Sequence, residues 1–483
     1  MSRAAGLLLI VCFALYGGTL DHFFVSDDFL NYERNGFRTV GDALGFFATK
    51  DVDFYRPIPR LHFGILQGLF GDQTLAWNLI GVLLHGIVSV TAVWLAASLL
   101  GRTNRRAARY TGLFFAVHFV HVEPVVWASS VTTLYVAEFV MLALILFRRA
   151  RQLDSARLRT FAVVAFALAL LSKETALAFF PLLFLTTWVW PVRGPSGRRY
   201  PRWPRVSEIL PFGILAATYL VIWSQLERGA DISPYQVQWG GHVVKNAVFF
   251  VAACFVPLHY WAIQDVWSQS RGGGGVPWFL GEVLGHPTWW ISLAALAVVL
   301  AFCVHGGGRS VRGALAWILV AASPFLLLPG SGERFVYLSS FGACLALGLG
   351  SQWLLRRHRR LPGGRWAARA VVLAALALHA AGNLDRQRDW AIASHWTRAI
   401  VGRWAYFRNL PADEPIEFVG VPERHRSAWV FRNGFPSMVR LYWEGRLYAR
   451  EGELPTPARR TRMIVRPDPS GTVGMMPEHG ADP

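Results

Sequence analysis

The sequence has few charged residues and little that could cross-link it. Only 16% of its 483 residues are charged, whereas 53% are hydrophobic, which is too apolar for an ordinary soluble domain. Its four cysteines lie in or beside apolar runs without paired spacing, so neither a disulfide framework nor a zinc knuckle is indicated. An internal repeat of fixed period is also missing. These absences indicate a membrane protein.

Lysine is nearly missing too, because arginine supplies almost all of the basic side chains behind the formal charge of +18. Such a charge would suggest nucleic acid in a soluble protein. Here the arginines cluster between apolar runs, as expected for cytoplasmic loops, so we predict no nucleic-acid partner. Lysine occurs only at Lys50, Lys173 and Lys245. Lys173, at a membrane edge, therefore suggests a compact charge beside a phosphate.

Apolar runs that could form transmembrane helices recur along the chain. A span needs roughly 20 apolar residues, because lipid cannot pair a free backbone group. The predicted spans are approximately 4–20, 78–100, 110–127, 129–147, 160–172, 174–190, 209–226, 289–305, 313–329, 335–355 and 366–382. The first lacks a signal-peptide cleavage pattern and is interpreted as a retained span. The sequence thus predicts an all-α polytopic membrane domain over residues 1–382, with about 11 transmembrane helices.

The arginine clusters also predict which side each loop faces. They place the loop 21–77 and everything after residue 383 outside the cytoplasm. For the count of crossings to stay even, residues 243–263 must not span and should form an interfacial or re-entrant helix. The expected location is a bacterial inner (plasma) membrane. Residues 383–483, with strand-like runs near 416–421 and 428–431, predict a small external α+β domain with a disordered C-terminal tail.

The first external loop opens with two adjacent acids, Asp27 and Asp28, directly after a span. Neighbouring carboxylates resist simultaneous ionisation, which suits a general base or a cation ligand. A Ser-Asp-Asp sequence also caps helices well, so a helix N-cap stays open as the alternative. The same loop ends at Arg56, which could bind a phosphate bidentately or could simply extend towards the membrane interface.

Further polar residues fall on the same predicted external side. His118, His121 and Glu123 lie at one membrane edge, where they permit a divalent cation without completing a ligand set. Lys173 and Glu174 lie between two apolar runs, where charges usually face a cavity or pair with each other. Glu333 and Arg334 lie in a glycine-rich turn that would suit a phosphate. Such a surface could hold a lipid phosphate and deprotonate a hydroxyl.

In this order the motifs resemble the GT-C superfamily of membrane glycosyltransferases, and within it the O-mannosyltransferases that carry tetratricopeptide repeats. The resemblance covers residues 1–350 and lies in Asp27-Asp28, Tyr55-Arg56-Pro57, Asn78 with Leu84-His85, His118 to Trp127, Ser172-Lys173-Glu174-Thr175, and Glu333-Arg334 with Tyr337-Leu338 and Gly342. The repeat domain of that family is missing here, and Phe119 stands where the family tends to have proline. The acceptor is therefore open: a protein, a lipid-linked glycan or an envelope polymer.

The resemblance implies an inverting hexosyltransferase that moves a sugar, mannose in the resembled O-mannosyltransferases, from a polyprenyl-phosphate lipid to an acceptor hydroxyl outside the membrane. It implies Asp27, alone or paired with Asp28, as base, and Arg56, Lys173 and Arg334 as phosphate ligands. The implied pocket residues are His118, His121, Glu123, Glu174, Glu333 and Asn78. No metal ligand is assigned. A membrane transporter or lipid flippase with an external binding domain is the alternative, since Glu138, Lys173 and Glu174 could mark a conduction path.

Overall fold

A computed structural model describes most of the chain. It covers residues 2–49, 54–194, 200–225, 238–257, 308–328, 330, 332–358, 362–403, 416–443, 448–450, 461–468 and 473–478. The predicted span at 289–305 and the end of the predicted helix 243–263 lie outside these residues. The other predicted spans lie almost entirely within them.

Helices dominate the described residues up to residue 403. They are α1 (Ser2–Tyr16), α2 (Asp27–Arg34), α3 (Val40–Gly45), α4 (Pro57–Phe70), α5 (Thr74–Leu100), α6 (Arg105–Val117), α7 (Val122–Val126), α8 (Val131–Leu153), α9 (Ala156–Ser172), α10 (Phe179–Val189), α11 (Val206–Gln225), α12 (Gly241–Ala253), α13 (Arg309–Leu326), α14 (Ser340–Arg357) and α15 (Gly364–Val401). Short 3-10 turns join several of them. The predicted helical membrane fold is thereby confirmed.

Within the described residues, four helices are long and apolar enough to cross a membrane. They are α5, α11, α15 and the helix that includes α8, and three shorter apolar helices accompany them. Large apolar side chains on these helices remain exposed, such as Trp94 at 43% and Ile214 at 56%. Lipid is the solvent that such side chains match. The predicted number of spans stays a prediction.

One predicted span is wrong as a continuous helix. The apolar run 110–127 predicts a single crossing, but α6 ends at Val117, where His118 takes an extended conformation with ψ 130°. A 3-10 turn, the short α7 and a second 3-10 turn follow before α8. The apolar side chains of this run are buried against protein, with Val120 and Val122 both at 0% exposure. We call residues 118–130 the connecting segment.

Close backbone contact holds the connecting segment against α5. A Cβ added to Gly81 would lie 2.6 Å from the carbonyl oxygen of Val125, so only glycine lets α5 and α7 approach this closely.

The helix α12 is fixed by hydrogen bonds from a buried side chain. Asn246 is fully buried and donates to the carbonyl oxygens of Leu326 and Leu328, at 3.3 and 2.8 Å, where the end of α13 leaves carbonyls unpaired.

After α15 comes a small unit of strands and one helix, which we call the C-terminal unit. Its elements are β1 (Ile416–Val419), β2 (Arg424–His425), β3 (Ala428–Trp429), α16 (Phe435–Tyr442), β4 (Tyr448–Arg450), β5 (Thr461–Pro467) and β6 (Val473–Glu478). One sheet has the order β4-β1-β5-β6, with β1 parallel to both neighbours and β6 antiparallel to β5. Both predicted strand positions and the α+β composition are confirmed.

The helix α15 joins the two parts of the chain without a break. Its first half, up to about residue 382, is apolar, and its second half is charged and packs against the C-terminal unit, for instance through Asp389 with Ser427 at 2.9 Å. The predicted domain boundary at residues 382 and 383 falls inside this helix. The division into two domains stays a prediction, and the helix is the physical link between them.

Candidate active site

The two adjacent acids at the start of α2 lie in different surroundings. Asp28 is buried, at 3% exposure. It accepts hydrogen bonds from the backbone nitrogen and hydroxyl of Ser129, at 2.7 and 2.5 Å, and from the backbone nitrogen of Val25, at 3.1 Å. Burial raises the pKa of Asp28 to about 7, although the bonds from Ser129 oppose this rise. Asp28 therefore fastens the loop that contains Asp27 and Asp28, which we call the acidic loop, to the connecting segment.

Asp27 is the accessible member of the pair. It is half-buried, and its Oδ1 accepts from the Asn433 amide at 3.0 Å and from the Ser26 hydroxyl at 3.4 Å. Among the described residues its Oδ2 has no hydrogen-bond donor. Ser26 caps no backbone nitrogen of α2, and it takes a left-handed conformation with φ 48°, which is rare for a residue with a side chain. The helix-cap alternative therefore gains no support from the Ser26 side chain.

Arg56 and Glu174, predicted separately, form an ion pair across 118 positions of sequence. Arg56 Nε and Nη2 lie 2.9 and 2.6 Å from the two oxygens of Glu174, the bidentate geometry that makes arginine pairs strong. The Arg56 guanidinium also lies over the Phe54 ring at 3.8 Å. The structure thus places Arg56 in a defined contact at the site, beside Lys173, whose pKa its charge helps to lower.

Two further ion pairs lie beside the connecting segment. Glu123 accepts from the backbone nitrogen and from Nη1 of Arg334, at 2.9 and 2.8 Å. Glu333, next in the chain, accepts from Arg386 Nε at 2.8 Å, with both side chains buried. Arg386, on α15, was missed by the sequence analysis. Its only signal was an arginine in the charged half of that helix, which composition alone does not distinguish from its exposed neighbour Arg388.

Lys173 has a different environment from the two arginines. Its buried ammonium donates to the hydroxyl of Thr133 at 3.1 Å and lies 5.7 and 5.8 Å from the ring centres of Phe325 and Phe335. Burial lowers the pKa of Lys173 to about 7, and the charge of Arg56 contributes to the same shift. Within the described residues the hydrogen-bond partner of this ammonium is neutral, so the lysine is suited to an anion.

The remaining predicted pocket residues hold the scaffold together. His118 and His121 are fully buried and bond to the carbonyl oxygen of Cys254 at 3.0 Å and to the Ser340 hydroxyl at 2.7 Å. Asn78 donates to the carbonyl oxygens of Leu20 and His22, at 3.2 and 2.8 Å, which fixes the chain that leads to the acids. The described ranges contain no group of three or more potential metal ligands.

The connecting segment and the first turn of α8 contact most of the predicted site. Ser129 binds Asp28, Glu123 binds Arg334, and Thr133 binds Lys173. Residues from three distant parts of the sequence therefore meet along residues 118–133. The charged members of this group are predictable from the sequence, whereas Ser129 and Thr133 are not, because neutral hydroxyls carry no distinctive signal.

The chain matches no protein-family model. It is 30% identical to protein O-mannosyl-transferase Tmtc1 of Drosophila melanogaster, over 79% of this chain and 55% of that protein. The predicted resemblance to GT-C glycosyltransferases is confirmed. The chain spans about half the length of this relative. For this chain, the relative's activity is therefore a proposal.

Two solved structures resemble the fold at low sequence identity. ArnT from Cupriavidus metallidurans, bound to undecaprenyl phosphate, matches with a TM-score of 0.45 and 14% identity, over 95% of this chain and 92% of its own. The oligosaccharyltransferase of Archaeoglobus fulgidus, in complex with zinc and sulfate, matches with a TM-score of 0.44 and 12% identity, over 92% and 62%. The resemblance to GT-C glycosyltransferases therefore rests on the sequence relative.

Proposed function

We propose that this chain is a membrane glycosyltransferase and that it moves a hexose, mannose by analogy with its relative, from a polyprenyl-phosphate lipid to an acceptor hydroxyl. The observation that carries the proposal is the connecting segment, which is bonded to the acidic loop on one side and to a group of cations on the other. A sugar phosphodiester needs cations at its phosphate and a base near its anomeric carbon. Both kinds of group are present along this segment.

In the proposed reaction, Oδ2 of Asp27 takes the proton of the acceptor hydroxyl. The hydroxyl oxygen forms a bond to the anomeric carbon while the bond from that carbon to the phosphate oxygen breaks, and the phosphate leaves with the electron pair. Attack from the opposite face inverts the anomeric configuration. Asp28, held by Ser129, keeps the loop in place and does not take this proton.

Lys173 is the proposed principal ligand of the donor phosphate. Arg56 and Arg334 are paired with Glu174 and Glu123, so a phosphate bound there would share them with carboxylates. Among the described residues the Lys173 ammonium donates its hydrogen bond to a hydroxyl, although the charges of Glu174 and Glu123 also act on it. A buried cation whose pKa is lowered by burial gains most when an anion arrives, because the anion stabilises its charged form. Phosphate binding should therefore be linked to protonation of Lys173.

Donor affinity should consequently fall as the pH rises above about 7. The phosphodiester keeps one negative charge across this range, whereas Lys173, with a pKa of about 7, is charged below that pH and neutral above it. We expect the dissociation constant to rise up to tenfold per pH unit between about 7 and 9. Binding of a fluorescent polyprenyl-phosphate sugar at several pH values measures this effect.

Two variants test the assignment of that pH dependence. Lys173→Arg stays charged across the range and should flatten the curve, while Lys173→Gln should weaken binding at pH 6 and flatten it too. If Lys173→Gln kept the wild-type pH dependence of donor binding, Lys173 would be excluded as the titrating group. Wild-type affinity in Lys173→Gln would exclude it as a phosphate ligand.

The site is proposed to face away from the cytoplasm, in a plasma membrane of bacterial type, with a protein or a glycan as acceptor. The arginine clusters support this orientation, because they predict cytoplasmic loops at the other ends of the helices. The bond between Asn433 and Asp27 joins the C-terminal unit to the acids. It supports the proposal that this unit lies on the same side as the site.

Transfer in sealed vesicles of known orientation tests both the activity and the side. Donor lipid with a radiolabelled sugar is incorporated in the membrane, and acceptor peptides or glycans are added outside. We expect labelled product only in vesicles whose periplasmic face is outward, and detergent should restore transfer in inverted vesicles. Transfer that requires the cytoplasmic face would overturn the orientation, and the absence of transfer in both preparations and in detergent would overturn the donor class.

A further inference from the structure

The C-terminal unit contacts the acidic loop backbone to backbone. The Ser26 nitrogen donates to the carbonyl oxygen of Val430 at 2.6 Å. A Cβ added to Gly434 would lie only 1.7 Å from the carbonyl oxygen of Ser26, a distance at which no side chain fits. Glycine at this position therefore lets the segment 430–434 lie directly on the residue that precedes Asp27.

Side chains secure the same contact along α2. Phe29 stacks on Phe431, with ring centres 6.1 Å apart, and both rings are fully buried. Further along, Glu33 pairs with Arg440 of α16, with Nη2 to Oε2 at 2.8 Å. Burial of two aromatic side chains stabilises such a contact far more than an exposed ion pair does. The segment 430–434 is thus held firmly beside the acids.

Asn433 lies within this segment and is the member that reaches the reactive carboxylate. Its amide nitrogen donates to Asp27 Oδ1 at 3.0 Å. We propose that Asn433 is a positioning residue for Asp27 and that the segment 430–434 forms one wall of the active site. This inference rests on the proposed glycosyl transfer. It gives the C-terminal unit a direct part in the reaction, in addition to any part in binding acceptors.

The geometry explains what the amide does. The bond to Oδ1 fixes the rotation of the carboxylate and leaves Oδ2 to take the proton. The hydrogen bond from Ser26 is too weak to fix this rotation alone, since its hydroxyl lies 3.4 Å from the same oxygen. A base must be held in a productive orientation, and small misplacements reduce rates by up to about 100-fold. Asn433 is exposed, so its substitution should not disturb a core.

The test compares substitutions at Asn433 in the full chain. Asn433→Ala should lower kcat about tenfold, and Asn433→Asp, which places a carboxylate against Asp27, about 100-fold. The donor KM should stay within about twofold in both, and Asn433→Gln, which keeps the amide, should recover most of the loss in Asn433→Ala. Glu423→Gln, an exposed side chain of the same unit, is the control and should match wild type.

A double variant and a labelling experiment separate this role from simple stabilisation. Adding Asn433→Ala to Asp27→Asn should cause no further loss of kcat, because both changes act through one group. Carbodiimide labelling of Asp27, followed by mass spectrometry, should be faster in Asn433→Ala than in wild type. Equal labelling together with normal turnover by Asn433→Asp would overturn the role of Asn433 alone. A wild-type chain without transfer would overturn the proposed function, and this role with it.

Discussion

Asp27→Asn should lower the turnover of glycosyl transfer by about 10³-fold, since positioned general bases contribute roughly 10²–10⁴ to a rate. The side chain keeps its shape but can no longer take the acceptor proton. Donor binding should be unchanged, because the proposed phosphate ligand, Lys173, bonds to Thr133 at a different part of the site. Single-turnover transfer from a labelled polyprenyl-phosphate sugar, with donor affinity measured in parallel, checks both expectations.

Asp21→Asn provides the matched control for this experiment. Asp21 lies six positions earlier in the same loop, is exposed and pairs with Arg398 at 3.2 Å, so the identical substitution there should leave turnover unchanged. Asp28→Asn should behave differently again. It places an amide against the donors Ser129 and Val25 and should lower the melting temperature. Full turnover in Asp27→Asn would refute the proposed base.

Arg386→Met should destabilise the protein, because it removes the arginine that bonds to the buried Glu333 carboxylate at 2.8 Å, and loss of one partner from a buried ion pair usually costs about 3–5 kcal/mol. Arg386 is 1% exposed and bonds to Glu333, which is 5% exposed. Its removal leaves a carboxylate buried near Arg334. Thermal unfolding in detergent, followed by intrinsic tryptophan fluorescence, measures the expected fall in melting temperature.

The neighbouring exposed Arg388 supplies the control, since Arg388→Met changes the same charge on the same helix outside the ion pair. It should shift the melting temperature little. The double variant Arg386→Met with Glu333→Met should recover a large part of the loss, because it also removes the buried carboxylate and leaves an apolar pair of similar volume. A single variant at Arg386 as stable as wild type would show that the ion pair does not hold α15 in place.

The membrane helices were predictable because each hydrophobic run carries its own signal. Residues 78–100 and 366–382 could be recognised one at a time, since lipid demands about 20 apolar residues whatever the neighbours are. The break at His118 could not. The polar residues His118, His121 and Glu123 interrupt the apolar run without fixing where a helix ends. Packing against α5 and α14 decides that the backbone there forms short turns, through contacts such as His121 with Ser340.

The charged residues of the site were predictable as a set but not as pairs. Their position at membrane edges marked Arg56, Lys173 and Glu174 as unusual. The partners could not be read in advance, because Arg56 and Glu174 are joined by tertiary folding alone. Asn433 was the hardest to foresee. It is a neutral residue in a segment with soluble composition, and only its contact with Asp27 makes it notable.

The unbroken helix α15 also limits how such proteins can be recombined. Its 38 residues extend about 57 Å, nearly twice the roughly 30 Å of a hydrocarbon core, so the helix extends from the hydrocarbon core into the C-terminal unit. One residue inserted midway would rotate the C-terminal unit by about 100° about the helix axis and shift it by about 1.5 Å along that axis. A foreign C-terminal unit grafted onto this helix would therefore need the same rotational phase as well as the same helix length.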